Sequence, residues 1–134
     1  MAIYKDITIT HEFLDSNPNA YFVFGDNLER KGRGETAKLR EHPHTIGFIT
    51  KKFPDDSDSS FYKPEEYSCI FFEELKKLSK IIEKKPDKTF YISSLGSSPL
   101  ANRYRIWELL IHHNLVLALG KFENVIFCWA DGLI

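Results

Sequence analysis

The 134-residue sequence predicts an α/β fold: a single three-layer domain, residues 1–134, with a mostly parallel sheet flanked by helices, macro-domain-like or Rossmann-like. Three observations predict it. Short apolar runs rich in β-formers alternate along the chain with helix-compatible segments, the pattern that builds a parallel sheet covered on both faces. The aromatic-rich run AYFVFG at 20–25 is continuously apolar up to its glycine and so suits a strand buried on both sides. No repeat, low-complexity stretch or linker divides the chain, and its 43% hydrophobic content suffices for one core of ordinary size.

The elements follow in order. Ile3, Ile7 and Ile9 alternate loosely with polar residues, as in an outer strand, and AYFVFG reads as a central strand ended by glycine. ETAKLRE, residues 35–41, is helix-forming sequence with room for about two turns before Pro43. TIGFITKKF (45–53) reads as a strand, and PDDSDSS (54–60) as an exposed, mobile loop with little to bury. From Pro64, Tyr67, Ile70, Phe71, Leu75, Leu78, Ile81 and Ile82 recur at helical spacing, with Glu73, Glu74, Lys76, Lys77 and Lys80 opposite, until Pro86 ends the helix. TFYISS (89–94) is a further strand, followed by the polar loop LGSSPLANR. A second helix carries Ile106, Leu109, Leu110 and Leu117 on one face and stops at Gly120, before a last buried strand NVIFCW (124–129).

The bulk properties narrow the function. A formal charge of −1 and a pI near 6.5 leave no global positive field, which argues against non-specific binding to nucleic acid or an anionic membrane. MAIYKDITIT has neither a basic n-region nor an apolar h-region, so a soluble, cytoplasmic protein is expected. Cys69 and Cys128, within apolar stretches, read as buried reduced thiols. No HxxxH, HExxH or CxxC spacing calls for a metal, and no GxSxG calls for a serine nucleophile. The histidines read as capping or half-buried residues, and Trp107 and Trp129 as core. No cofactor is called for, and the oligomeric state is not legible.

Two polar loops, each following an apolar strand, carry the functional reading, because ligands of open α/β sheets bind beyond the carboxyl ends of the strands. The first, GDNLERKGRG, offers Gly25, Asn27, Arg30, Gly32, Arg33, Gly34 and Thr36; glycines let backbone N–H groups approach a ligand, and Arg30, Lys31 and Arg33 would add charge-assisted bonds to phosphate. Gly32 to Ala37 formally fits GxGxxA, but six residues separate Gly25 from Gly32, whereas the dinucleotide fingerprint follows its strand at once. Asp55 and Asp56 lie near the offset of a ribose-binding acid, within a loop full of acids. The second loop offers Ser93, Ser94, Gly96, Ser97, Ser98, Asn102 and Arg103. Each loop has a plainer reading: a solvated basic surface loop for the first, an ST-turn with Asn102 as helix N-cap for the second.

At these loops the chain resembles the macro-domain group and related Rossmannoid nucleotide-binding modules. The resemblance rests on Phe24-Gly25-Asp26-Asn27, Gly32-Arg33-Gly34 with Thr36-Ala37, and Ile92-Ser93-Ser94-Leu95-Gly96, in that order. VFGDNL-x-R-x-G-x-G also resembles an uncharacterised family met in bacterial and phage genomes. The macro-domain resemblance implies that Asn27 contacts a distal ribose, that Gly32 to Gly34 line phosphates, and that Ser93 to Ser98 close over the diphosphate of an ADP-ribose-like ligand. Three classes follow: a module binding ADP-ribose or another nucleotide, as sensor or sponge; a small ADP-ribosyl or nucleotide hydrolase, with Asp26 and then Glu35 as candidates to activate water; or a protein–protein adaptor without a small ligand.

Overall fold

The computed structural model describes residues 1–130, except the side chains of Glu35 and Thr36. In chain order it contains β1 (Ile3–Tyr4), α1 (His11–Ser16), β2 (Ala20–Asn27), a 3-10 segment (Glu35–Leu39), β3 (Thr45–Lys51), α2 (Pro64–Lys84), β4 (Thr89–Ile92), α3 (His112–Leu119) and β5 (Val125–Phe127). The strands form one five-stranded sheet in the order β1-β5-β4-β2-β3, and each pairing between them is parallel. The predicted α/β class is therefore observed.

Alternation along the strands divides the apolar residues between two cores, since successive side chains point to opposite faces. Val23 of β2 joins Phe90 and Phe127 in the larger core, under α2 and α3. Phe22 and Phe24 join Leu14 of α1 and Leu39 of the 3-10 segment in a smaller one. Helix α2 lays Tyr67, Phe71, Leu75, Leu78 and Ile82 into the larger core, the stripe its periodicity predicts.

Several sequence expectations need correction. The β1 strand spans two residues; Ile7 lies outside it, partly exposed, while Ile9 enters the smaller core. Helix α1 was not anticipated: Thr10 caps it by accepting from the Phe13 N–H at 3.1 Å, but six residues with a single buried side chain carry no periodic signal. Residues 35–39 wind as a 3-10 helix, because a segment this short does not repay α-helical nucleation. Cys69 is exposed on the outer face of α2, and Cys128 is half-buried; burial pushes the Cys128 thiol up to about 12, which leaves it inert at neutral pH. Leu109 and Leu117 are also exposed, at 60% and 66%. A π turn over Trp107–Ile111 widens the spacing there, so the inward stripe runs Ile106, Ile111, Leu115, Leu119.

Glu74, expected on the solvent face, is buried against the edge strand β3. Its carboxylate accepts from the Ile49 N–H at 2.8 Å, while the Tyr67 hydroxyl donates to the Ile49 carbonyl. Both outward-facing backbone groups of this edge residue are thus satisfied by α2, which closes the strand to pairing with another chain. Tyr67→Phe should cost about 1–2 kcal/mol in urea unfolding, the penalty of a buried carbonyl left unpaired, with faster amide exchange along β3 as the accompanying sign.

Candidate functional site

The sheet order fixes where a site can form. From β2 the chain crosses to β3 on one side, and from β4 it crosses to β5 on the other, so the strand order reverses between the adjacent strands β2 and β4. Right-handed crossovers send the two following connections to opposite faces and open a crevice at the carboxyl ends of those strands. A cavity of about 350 Å³ lies there, lined by Gly25–Asn27 and Gly32 from the first loop and by Ser93–Ser98 from the second. The two loops singled out in the sequence therefore meet at one place.

The first loop is shaped by a buried charge cluster. Asp26, 4% exposed at the end of β2, accepts from Arg40 Nη2 at 2.7 Å, from Arg30 Nη1 at 3.2 Å and from the Asn27 N–H at 2.8 Å. Arg40 also donates from Nε to the Gly32 carbonyl at 3.0 Å and from Nη2 to the Lys31 carbonyl at 3.0 Å, and it lies 5.2 Å over the Phe24 ring. One guanidinium thus ties the glycine loop to the strand it left. Asn27 completes the fold of the loop: its Oδ1 accepts from the Glu29 N–H at 3.0 Å and its Nδ2 donates to the Lys31 carbonyl at 2.6 Å. The backbone has positive φ at Arg30 (56°) and Gly32 (98°). Gly34 has an ordinary φ of −71°, and a Cβ built on it meets nothing within 4 Å, so the protein's own atoms leave space there.

The second loop continues the sheet for one residue, the Ser93 N–H donating to the Val23 carbonyl at 3.1 Å. It then turns at Ser94–Ser97, where the Ser94 carbonyl accepts from both the N–H and the hydroxyl of Ser97, with Gly96 at φ 81°. The Ser93 hydroxyl is buried and has no hydrogen-bond partner. A buried hydroxyl normally has one, so a bare one on a cavity wall is an open position for a ligand atom. Ser93 and Ser94 also border a second cavity, of about 300 Å³, whose walls include Ile7, Ile9 and Phe22.

Other candidates stand apart from the cavity. Arg30 is committed to Asp26 and to the Gly47 carbonyl at 3.1 Å, with Glu74 at 3.8 Å. Arg33 pairs with Glu41 at the surface. Asn102 holds the π turn that leads into α3, accepting from the Trp107 N–H at 2.9 Å and donating to both oxygens of Glu108. Arg103 binds Asp58 at 2.9 Å and covers the Phe61 ring at 4.6 Å. The side chains of Glu35 and Thr36 lie outside the described residues. Lys31, which the basic run of the first loop pointed to, lines the cavity, and so do Thr50, Lys51 and Asp56. Of these last three only Asp56 carried a sequence signal, its offset from the glycine loop.

The fold and site define an α/β domain with a ligand-sized crevice at its topological switch point. Residues 4–97 match a family of unknown function, DUF7831, and the chain belongs to that family. The matched span runs from the end of β1 through β2, β3 and β4 to the start of the second loop, so most of the cavity wall falls within it. No curated protein and no solved structure matches the chain. Among the described residues no helix is long and apolar enough to cross a membrane, and no group of three or more His, Cys, Asp or Glu residues is placed to hold a metal ion.

Proposed function

We propose that this protein binds a nucleotide-type phosphate ligand, ADP-ribose-like or related, in the crevice between β2 and β4, and acts as a sensor or sponge for it. The observation that carries this reading is the convergence of the glycine loop and the serine loop on one cavity, whose wall includes Ser93 with its buried, unpartnered hydroxyl. The apolar wall of the adjoining cavity offers a surface for a base. Binding is favoured over hydrolysis because the Asp26 carboxylate is already shared between two guanidinium groups, which suits an anchor and leaves it poorly placed to take a proton from water.

The test is a thermal-shift panel of ADP-ribose, NAD, AMP and cyclic nucleotides. A true ligand at roughly 100 times its Kd stabilises the folded state by about 2.7 kcal/mol, a rise of several degrees. Silence across the panel would favour the adaptor. Chromatography of the recovered ligand separates a sponge, which returns it intact, from a hydrolase, which consumes it. Gly34→Val should weaken binding by filling the open space, whereas Arg33→Ala, with its side chain turned to Glu41, should leave the affinity unchanged.

A further inference from the structure

We propose that Lys31 and Lys51, which both line the cavity, take a terminal phosphate monoester, so that the ligand is of the nucleoside monophosphate type; this rests on the reading of the cavity as a nucleotide site. Among the described residues four charged ones line the cavity: Asp26, Lys31, Lys51 and Asp56. Asp26 is neutralised by Arg30 and Arg40. Among the described residues no arginine lines the cavity, and Arg30, Arg33, Arg40 and Arg103 are each paired with a carboxylate, which leaves the lysines to meet an anion.

The Lys51 side chain is only 19% exposed, and its Nζ lies 4.9 Å over the Phe61 ring, on the cavity wall. Its nearest carboxylate, Asp56, is exposed and stands at 3.7 Å, too far for a hydrogen bond, so the ammonium keeps its donors for a better acceptor. Lys31 has no ion pair among the described residues. The buried Ser93 hydroxyl adds a neutral donor on the β4 side.

Two ammonium point charges without a guanidinium fork suit a compact dianion that needs no fixed bidentate geometry. A phosphate monoester is that group: it carries close to two charges at neutral pH and loses one below its second pKa of about 6. An internal diphosphate has no such step. The cavity volume, about 350 Å³, is near the lower end of the usual range of roughly 300–1,000 Å³, which fits one phosphate with its sugar better than a diphosphate between two sugars. The Asp56 carboxylate opposes the anion from the same wall, and Lys51 would exchange it for the phosphate.

Calorimetric titration of the full chain with AMP, adenosine and ADP-ribose at about pH 7.5 and about pH 5, on either side of the phosphate's second pKa, tests this. AMP should bind about a hundredfold tighter than adenosine at the higher pH, the effect of two charge-assisted contacts of about tenfold each, and should lose most of that advantage at the lower. Adenosine, titrated in parallel, reports any effect of the protein's own groups. Lys31→Ala, at an exposed position, and Lys51→Gln should each reduce AMP affinity by about tenfold and leave adenosine unchanged. AMP no tighter than adenosine, or ADP-ribose tighter than AMP with no dependence on either lysine, would overturn the monoester and leave the nucleotide reading intact. Absence of binding by all three would remove both.

Discussion

Asp26→Ala is expected to destabilise the protein by about 3–5 kcal/mol, the usual effect of removing one partner from a buried ion pair, measured as a lower urea midpoint at unchanged slope. Arg40 bears most of the cost. Its side chain is only 19% exposed, and without the carboxylate at 2.7 Å it retains two backbone carbonyls and no counter-charge. Arg30 is half exposed and can turn to water, so it contributes less. The Asn27 N–H also loses its acceptor, and with it goes part of the turn that brings Gly32 over the cavity. Arg40→Ala should cost less than Asp26→Ala, and the double variant less than the sum, because both changes dismantle one cluster. A cost under about 1 kcal/mol for Asp26→Ala would deny the carboxylate its anchoring role and return it to candidacy as a general base. The hydrolase reading would then regain ground.

How far the sequence reaches is visible in the same cluster. The apolar runs at 20–25, 45–53, 89–94 and 124–129 each contain a strand, because a parallel sheet covered on both faces needs near-continuous apolar sequence and little else yields it. The meeting of the two loops was also legible, since strand alternation and handedness bring loops at the carboxyl ends together without reference to any side chain. Which side chains face the cavity was not. Asn27 and Asn102 look like ligand contacts by residue type, yet their side-chain groups are satisfied within their own turns. Arg30, Arg33 and Arg103 look like phosphate binders, yet each finds a carboxylate of the chain. Arg40 lies 14 residues from Asp26, just after a 3-10 segment read as an α-helix, and no local pattern joins the two. Lys51 closes a strand and shows its role only once β3 is set beside β2. Pairing across loops is a tertiary choice among several carboxylates, and spacing in one dimension does not make it.

Gly47→Ala should cost about 2–4 kcal/mol, against the ordinary gain from replacing a strand glycine, and the reason lies in the neighbouring strand. Gly47 of β3 pairs with Phe24 of β2, and a Cβ built on it would stand 2.2 Å from Asp26 Oδ2 and 3.0 Å from the Asp26 Cβ and Cγ. The absent side chain is the space the buried carboxylate occupies. Its carbonyl also accepts from Arg30 at 3.1 Å, so any shift of β3 to relieve the clash pulls on the same network. Alanine therefore has to displace Asp26 from its guanidinium partners or separate two strands at the mouth of the cavity. The decisive measurement is a double-mutant cycle. In the Asp26→Ala background the oxygen at 2.2 Å and the Cγ are gone and only the Cβ at 3.0 Å remains, so most of the cost of Gly47→Ala should disappear, leaving under about 1 kcal/mol. An equal cost in both backgrounds would mean that the glycine serves some feature of β3 other than the carboxylate, and the account of how Asp26 is held would fail with it.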